Sequence, residues 1–362
     1  MTVSDGHPGP LAQSARIHDS SMGDDPLLGS WLRRALPPAT NTGGVASADG
    51  RRSGRQARTE QLAMACALHS SMDATAWPPA TEPIHAVDCM WNSVRAVSIM
   101  RRSLALARSR DAQPESPGGP PDNRSPHTDM LAALEAETWG AFLLAFLVVE
   151  LNGRLESGEI DGQQRALLRL VAPVAALGTG RQAVTVAGEA IMAPGENAQP
   201  EDTGLSQLLR DALGLAKCAG GPAVLVLEDA RQADLHDGLA ALMGRTSGCL
   251  RGLKEPRLIA AGRQAVAALE RAALWLESGK DRKVLQAGSR RLAMTLARGL
   301  ELALLCEHAQ WMLDHDDDRR GFAAALRYSR LPVDLVHEVD VEMDGVLLAP
   351  PGTGREGMGG RG

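Results

Sequence analysis

Apolar positions recur at helical spacing through most of the chain between residues 59 and 315. The pattern predicts helices over 59–71, 90–109, 126–155, 161–192, 203–213, 221–244, 257–278 and 281–315. In the last of these, Leu285, Leu292, Leu296, Leu300 and Leu304 repeat at intervals of four and seven and fall on one stripe. The helix from 126 has a defined start, because Ser125 is a capping residue and Pro126 fills the first turn, where its missing N–H costs nothing. Pro173 interrupts the 161–192 pattern without ending it, so a bend is expected there. Ala175, Gly178, Gly180, Ala183 and Ala187 then form a small-residue surface against which another helix can pack closely. Helices of this length with short connections predict an all-α fold, an antiparallel helical bundle.

Outside these segments the periodicity fails. Residues 1–58 are rich in Gly, Pro, Ser and Arg around one apolar island, PLLGSWLRRAL at 26–36, and read as a disordered tail. The segment 108–127 reads as a loop and 349–362 as a second disordered tail. No internal repeat of fixed period is visible. The longest apolar run, WGAFLLAFLVVEL at 139–151, is too short to cross a bilayer and carries Glu150, so it reads as a buried core helix.

Composition supports the helical reading. Of 362 residues, 44% are hydrophobic and only 3% aromatic, with one Tyr and three Phe, which favours helices over strands. The formal net charge of −6 gives no overall attraction to nucleic acid or an anionic membrane. Local basic stretches exist at Arg101, Arg102, Arg108 and Arg110, and again at Lys280, Arg282, Lys283, Arg290, Arg291 and Arg298. Both read as solvated faces, with Glu301, Asp316, Asp317 and Asp318 offsetting the second. Cys66, Cys89, Cys218, Cys249 and Cys306 are scattered without a C-x-x-C pair, as expected of reduced thiols in a cytoplasmic compartment. The first residues lack a basic start followed by an apolar run, so no signal or transit peptide is expected.

The familiar chemical motifs are mostly incomplete. In LDHDDDRRGF at 313–322, Asp314, Asp316 and Asp318 alternate like calcium ligands. Arg319 and Ala325 stand where an EF-hand needs glycine and glutamate, so the tract reads as a solvated helix end. His308 and His315 lie seven apart, two turns of helix, too far for one metal, and no metal site is expected. Gly178-Thr179-Gly180-Arg181 and Gly352-Thr353-Gly354-Arg355 do not continue to the G-K-[ST] of a phosphate loop, and no G-x-S-x-G elbow occurs.

The order of segments carries more information. Residues 166–231 contain Ala172-Pro173-Val174-Ala175, then Gly195-Glu196-Asn197, Gly204, Arg210-Asp211 and Gly220. This succession resembles the C-terminal helical domain of acyl-CoA dehydrogenases, closest to their alkylation-response branch. Upstream, IMRRSLALARSRDA at 99–112 and HTDMLAALEAETWGAFLLAF at 127–146 resemble the helices around that family's R-x-x-F-G-x-P element, and 232–348 resembles the additional C-terminal helical region of the branch. The expected organisation is a tail at 1–58, an acyl-CoA dehydrogenase-like bundle at 59–231, an additional helical region at 232–348 and a tail at 349–362.

The resemblance implies FAD as cofactor and a glutamate as base, which takes the acyl α-proton while the β-hydride passes to flavin. Alignment on Arg210-Asp211 puts Ala219 at the glutamate position, and a methyl group cannot accept a proton. Asp88 is the nearest substitute on the helix where some members carry the base instead. By the same resemblance Arg110, Gly195, Asn197 and Gly220 are the cofactor-binding candidates, with Glu196 adding unfavourable charge beside a phosphate. The β-domain that shelters the flavin ring is not recognisable in the residues before 88.

These departures lead to the expectation of an acyl-CoA dehydrogenase-like protein without independent catalysis, not binding FAD by itself. It would be a homo- or hetero-oligomer through its helices, with a full-length FAD-dependent acyl-CoA dehydrogenase subunit as a possible partner and no membrane association. Two alternatives remain open from the sequence: a nucleic-acid-binding module of the alkylation-response type, and an active dehydrogenase with a non-standard base.

Overall fold

The computed structural model describes residues 82–111, 126–192, 204–229, 232–278, 282–338 and 340–349. All regular structure among the described residues is helical: α1 (Glu82–Asp111), α2 (Pro126–Glu156), α3 (Gly162–Met192), α4 (Leu205–Asp229), α5 (Gln232–Arg251), α6 (Pro256–Glu277), α7 (Arg282–His315), α8 (Arg320–Tyr328) and α9 (Val341–Leu348). The helix expected over 59–71, the N-cap at Ser125 and both expected tails up to residue 58 and from 350 lie outside the described residues.

Helices α3 and α7 form the interior. Every residue of α3 from Leu170 to Gly180 is buried, all the way round the helix, which is the signature of a helix enclosed by others. It packs against α1, α2, α4, α5 and α7, and α7 in turn against α2, α4, α5, α6 and α8. Pro173 sits inside α3 and the helix continues through it. The small-residue surface does what its sequence suggests. A Cβ on Gly178 would come within 2.8 Å of Ala297 Cβ on α7, and one on Gly180 within 3.4 Å of Ala216 Cα on α4. The start of α3 is a reciprocal capping box. The Gln164 amide donates to Asp161 Oδ1 at 2.7 Å, and the Asp161 amide to Gln164 Oε1 at 3.4 Å.

Three sequence expectations are corrected. First, α1 begins at Glu82 rather than 90. Second, the turn expected at 214–220 between two helices does not form, because α4 runs unbroken from Leu205 to Asp229. Glycines in a helix cost about 1 kcal/mol each relative to alanine. Leu205, Leu208, Ala212 and Leu215, buried at spacings of three and four, recover more than that against the neighbouring helices. Third, α2 and α3 are both long and apolar enough to cross a membrane, so the 139–151 run is part of a longer apolar helix. Most of each is buried inside the bundle, as expected of core helices.

The acidic tract after α7 is a helix end. α7 stops at His315, Asp317 takes a left-handed backbone (φ 48°), and Asp318 accepts from the Arg320 amide at 2.9 Å in the turn before α8, whose N-cap position is Arg319. Asp340 caps α9 by accepting from the Met343 amide at 3.0 Å. Neither short helix was expected, since nine and eight residues give too little periodicity to detect.

Candidate functional site

A buried polar cluster lies where α2, α3, α7 and α8 meet. Its centre is Glu301 on α7, whose side chain has no exposed surface. Gln182 on α3 donates its amide to Glu301 Oε2 at 2.8 Å, and the Tyr328 hydroxyl on α8 donates to the same oxygen. One turn earlier on α7, Arg298 donates to Glu137 Oε1 on α2 at 3.2 Å and to the Pro332 carbonyl at 3.1 Å. Glu137, Gln182 and Tyr328 are themselves buried. Gly140 makes room for this convergence: a Cβ there would stand 2.9 Å from Tyr328 Cε2 and 3.4 Å from Glu301 Cβ.

Burial dominates the electrostatics. It pushes the Glu301 carboxyl up to about 8, reinforced by the Glu137 charge and opposed by hydrogen bonds from Tyr328 and Gln182 and by Arg298. Burial also raises the Tyr328 phenol, with the two carboxyls adding to the effect. At neutral pH Glu301 is therefore a neutral acid and Tyr328 a neutral donor, while Arg298 and Glu137 carry the ion pair. Such a group can hold a proton against solvent and release it when the charge balance around it changes.

A second polar cluster joins α5 to α7. Arg245 donates to Glu307 through both terminal nitrogens, at 3.3 and 2.8 Å, and to Cys249 Sγ at 2.7 Å. The Cys249 Sγ lies 3.7 Å from Glu307 Oε2. Nearby, burial pushes the Cys306 thiol up to about 12, as it does that of Cys89 on α1, where Asp88 adds to the effect. His308 is fully buried between Trp139 and Trp311, with ring centroids 6.3 and 6.2 Å away, and His315 is exposed and stacked on Trp311 at 4.8 Å. Both imidazole rings therefore pack against Trp311.

Of the sequence-derived site residues, only Asp88 has a described side chain. Asp88 is half-buried on α1 beside Cys89. Arg110 lies near the end of α1 and Ala219 and Gly220 lie in the helical backbone of α4, with their side-chain surroundings outside the described residues. Gly195 and Asn197 fall wholly outside them. Gly220, expected in a turn, sits inside a helix, where successive amides are engaged in i to i−4 bonding.

The basic stretches also need correction. Arg298 is paired inward rather than solvated, and Arg101 is partly buried over the Phe142 ring, 5.9 Å from its centroid. Arg102, Arg108 and Arg290 are exposed, as expected. Lys280 and the side chains of Arg110, Arg282 and Lys283 lie outside the described residues. Glu301, read from sequence as an acid beside a basic surface, is instead the most enclosed carboxyl of the core.

With this arrangement in view, the described helices form an acyl-CoA dehydrogenase-like C-terminal helical domain. Among curated proteins the chain is similar to acyl-CoA dehydrogenase family member 11 of Caenorhabditis elegans. The two are 31% identical over 226 residues, 60% of this chain and 37% of the relative. The crystal structure of C. elegans ACDH-11 in complex with C11-CoA superposes with a TM-score of 0.63 at 26% identity, covering 72% of this chain and 46% of that one. The apo form of Bd2924 shares the fold at a TM-score of 0.50 and 21% identity, over 62% of this chain and 42% of its own. This chain thus spans less than half the length of each. No family model matches it.

Proposed function

We propose that this chain is a helical subunit of the acyl-CoA dehydrogenase type that does not carry out dehydrogenation on its own. It would act as a scaffold or half-site donor for a full-length, FAD-dependent partner. The observation that carries this reading is the fate of the segment that aligns with the catalytic base. Ala219 stands there, within an unbroken helix, and its methyl group cannot accept a proton. Asp88, the nearest acid on the helix where some members carry the base, is half-buried on α1 beside the buried Cys89.

The test is direct. The purified chain should show no flavin absorbance and no acyl-CoA-dependent dye reduction; stoichiometric FAD with turnover overturns the reading. Co-expression with a full-length acyl-CoA dehydrogenase, followed by size exclusion and flavin quantitation, should give co-elution, and its absence removes the scaffold role.

A further inference from the structure

We infer that α9 is a docking face for residues 26–36 of the same chain. The contact ties the segment before α1 to the C-terminal end of the bundle.

Helix α9 is exposed from Glu342 to Leu348. Met343, Val346, Leu347 and Leu348 are 59, 63, 82 and 83% exposed, and a Cβ added at Gly345 would meet nothing within 4 Å. Asp340 caps the helix, yet eight residues are too few for a helix to persist in water without a tertiary partner. Helix α7 touches it but leaves these four side chains open. Met343, Val346 and Leu347, at spacings of three and four, form one apolar stripe, and Glu342 and Asp344 border it about 100° to either side of Met343. Glu338 and Asp340 precede the stripe, and no Lys or Arg occurs between residues 331 and 354. The other large apolar side chains exposed among the described residues, Met192, Leu213 and Leu274, stand on three different helices. An exposed apolar stripe with an acidic border is suited to a basic amphipathic segment.

The chain itself supplies such a segment. At helical spacing the apolar island PLLGSWLRRAL at 26–36 puts Leu28, Trp31, Leu32 and Ala35 on one face and Arg33 and Arg34 on the other. No acid occurs from residue 26 to residue 48. The two patterns are complementary: the tryptophan and leucines match the stripe, and arginine stems are long enough to carry their charge round to Glu342 and Asp344. Residues 37–81 connect the island to α1, and a link of that length extends up to about 150 Å, several times the width of a bundle of this size. Reach therefore does not limit the contact, and the tether favours this segment over a free one. A second copy of α9 is the less suitable occupant. Packing two such helices face to face would set Glu338, Asp340, Glu342 and Asp344 of one copy against the same acids of the other.

Amide exchange of the full-length chain, followed by mass spectrometry, tests the contact from both sides. Segments 26–36 and 341–349 should both be protected in the parent. Trp31→Glu, and separately Arg33→Glu with Arg34→Glu, should accelerate exchange in 341–349 at least about tenfold. Helices α3 and α7 should keep their protection in these chains, which reports that the bundle is intact. In the reverse direction, Val346→Ser with Leu347→Ser should accelerate exchange in 26–36 by a similar factor. Parental exchange of 341–349 in either N-terminal variant, or of 26–36 in the serine variant, overturns the inference. Protection of 341–349 should also be constant over about a hundredfold range of chain concentration. Protection that appears only as the concentration rises assigns the face to a second copy and equally overturns it.

Discussion

Gly140 on α2 and Tyr328 on α8 meet with space for a hydrogen and nothing larger. A Cβ at 140 would approach the tyrosine ring to 2.9 and 3.4 Å and Glu301 Cβ to 3.4 Å. Two effects oppose each other in Gly140→Ala. Alanine gains roughly 1 kcal/mol of helix propensity. Overpacking a closed site costs about 1–3 kcal/mol, and here the neighbour is a rigid buried ring. The clash should win, lowering stability by about 1–2 kcal/mol in urea denaturation. The tyrosine absorption band should shift toward its solvent-exposed position; an alanine variant as stable as the parent, with an unchanged band, would contradict this packing.

Stability should fall on both sides of a plateau, for different reasons. The folded Glu301 titrates near 8 against an ordinary 4.5. Below 4.5 the carboxyl is neutral in both states and its burial carries no charge penalty. As the pH rises, the unfolded chain ionises first, so stability is progressively lost up to about 8, by an amount on the order of a few kcal/mol. Asp129 and Asp314 act in the opposite sense. Hydrogen bonds from Arg327 and Lys254 hold them below the usual aspartate value, so their contribution is present above that value and lost as the pH falls through the folded one. Denaturant midpoints measured across pH should show both limbs, and Glu301→Gln should flatten the alkaline limb only. A variant with the parental slope above 5 would assign that limb elsewhere.

Much of the architecture could be read from the chain, and the exceptions share a cause. α2, α3, α6 and α7 fall within a residue or so of their expected spans, because long apolar stretches dominate them. The break expected at 214–220 rested on local glycine preference, which packing of Leu205, Leu208, Ala212 and Leu215 overrode. Glu301 was misjudged because its neighbours in sequence include arginines. Its neighbours in helical space are Met294, Ala297, Leu305 and His308, all buried, and that spacing was the available signal. Its partners Gln182 and Tyr328 come from 119 residues before and 27 after, and no short-range pattern could pair them. The candidate cofactor residues came from family resemblance, and their side chains lie outside the described residues.

Thiol chemistry offers a check on the core. Cys89, Cys249 and Cys306 are all buried, and burial pushes Cys89 and Cys306 to about 12, so both remain thiols at neutral and mildly alkaline pH. Alkylation mapped by mass spectrometry should leave these three unmodified in the native chain and modify all of them after denaturation. Fast native labelling at Cys306 would show that α7 is less enclosed than described.

The Arg245–Glu307 pair should be structurally important although it is partly solvated. Both side chains are about a quarter exposed, the two nitrogens grip the carboxylate, and the same guanidinium contacts Cys249. An exposed pair would contribute under about 1 kcal/mol. Removing one partner of a fully buried pair costs about 3–5 kcal/mol because a charge is stranded. The intermediate exposure here puts Arg245→Met between these limits, at roughly 1–3 kcal/mol, with the loss arising from the stranded Glu307. The double variant Arg245→Met with Glu307→Gln should recover part of that stability, since no unpaired charge remains and methionine fills the arginine stem's space. A double variant whose loss is the sum of the two single losses would show that the residues act independently, and the link between α5 and α7 would then rest on apolar packing alone.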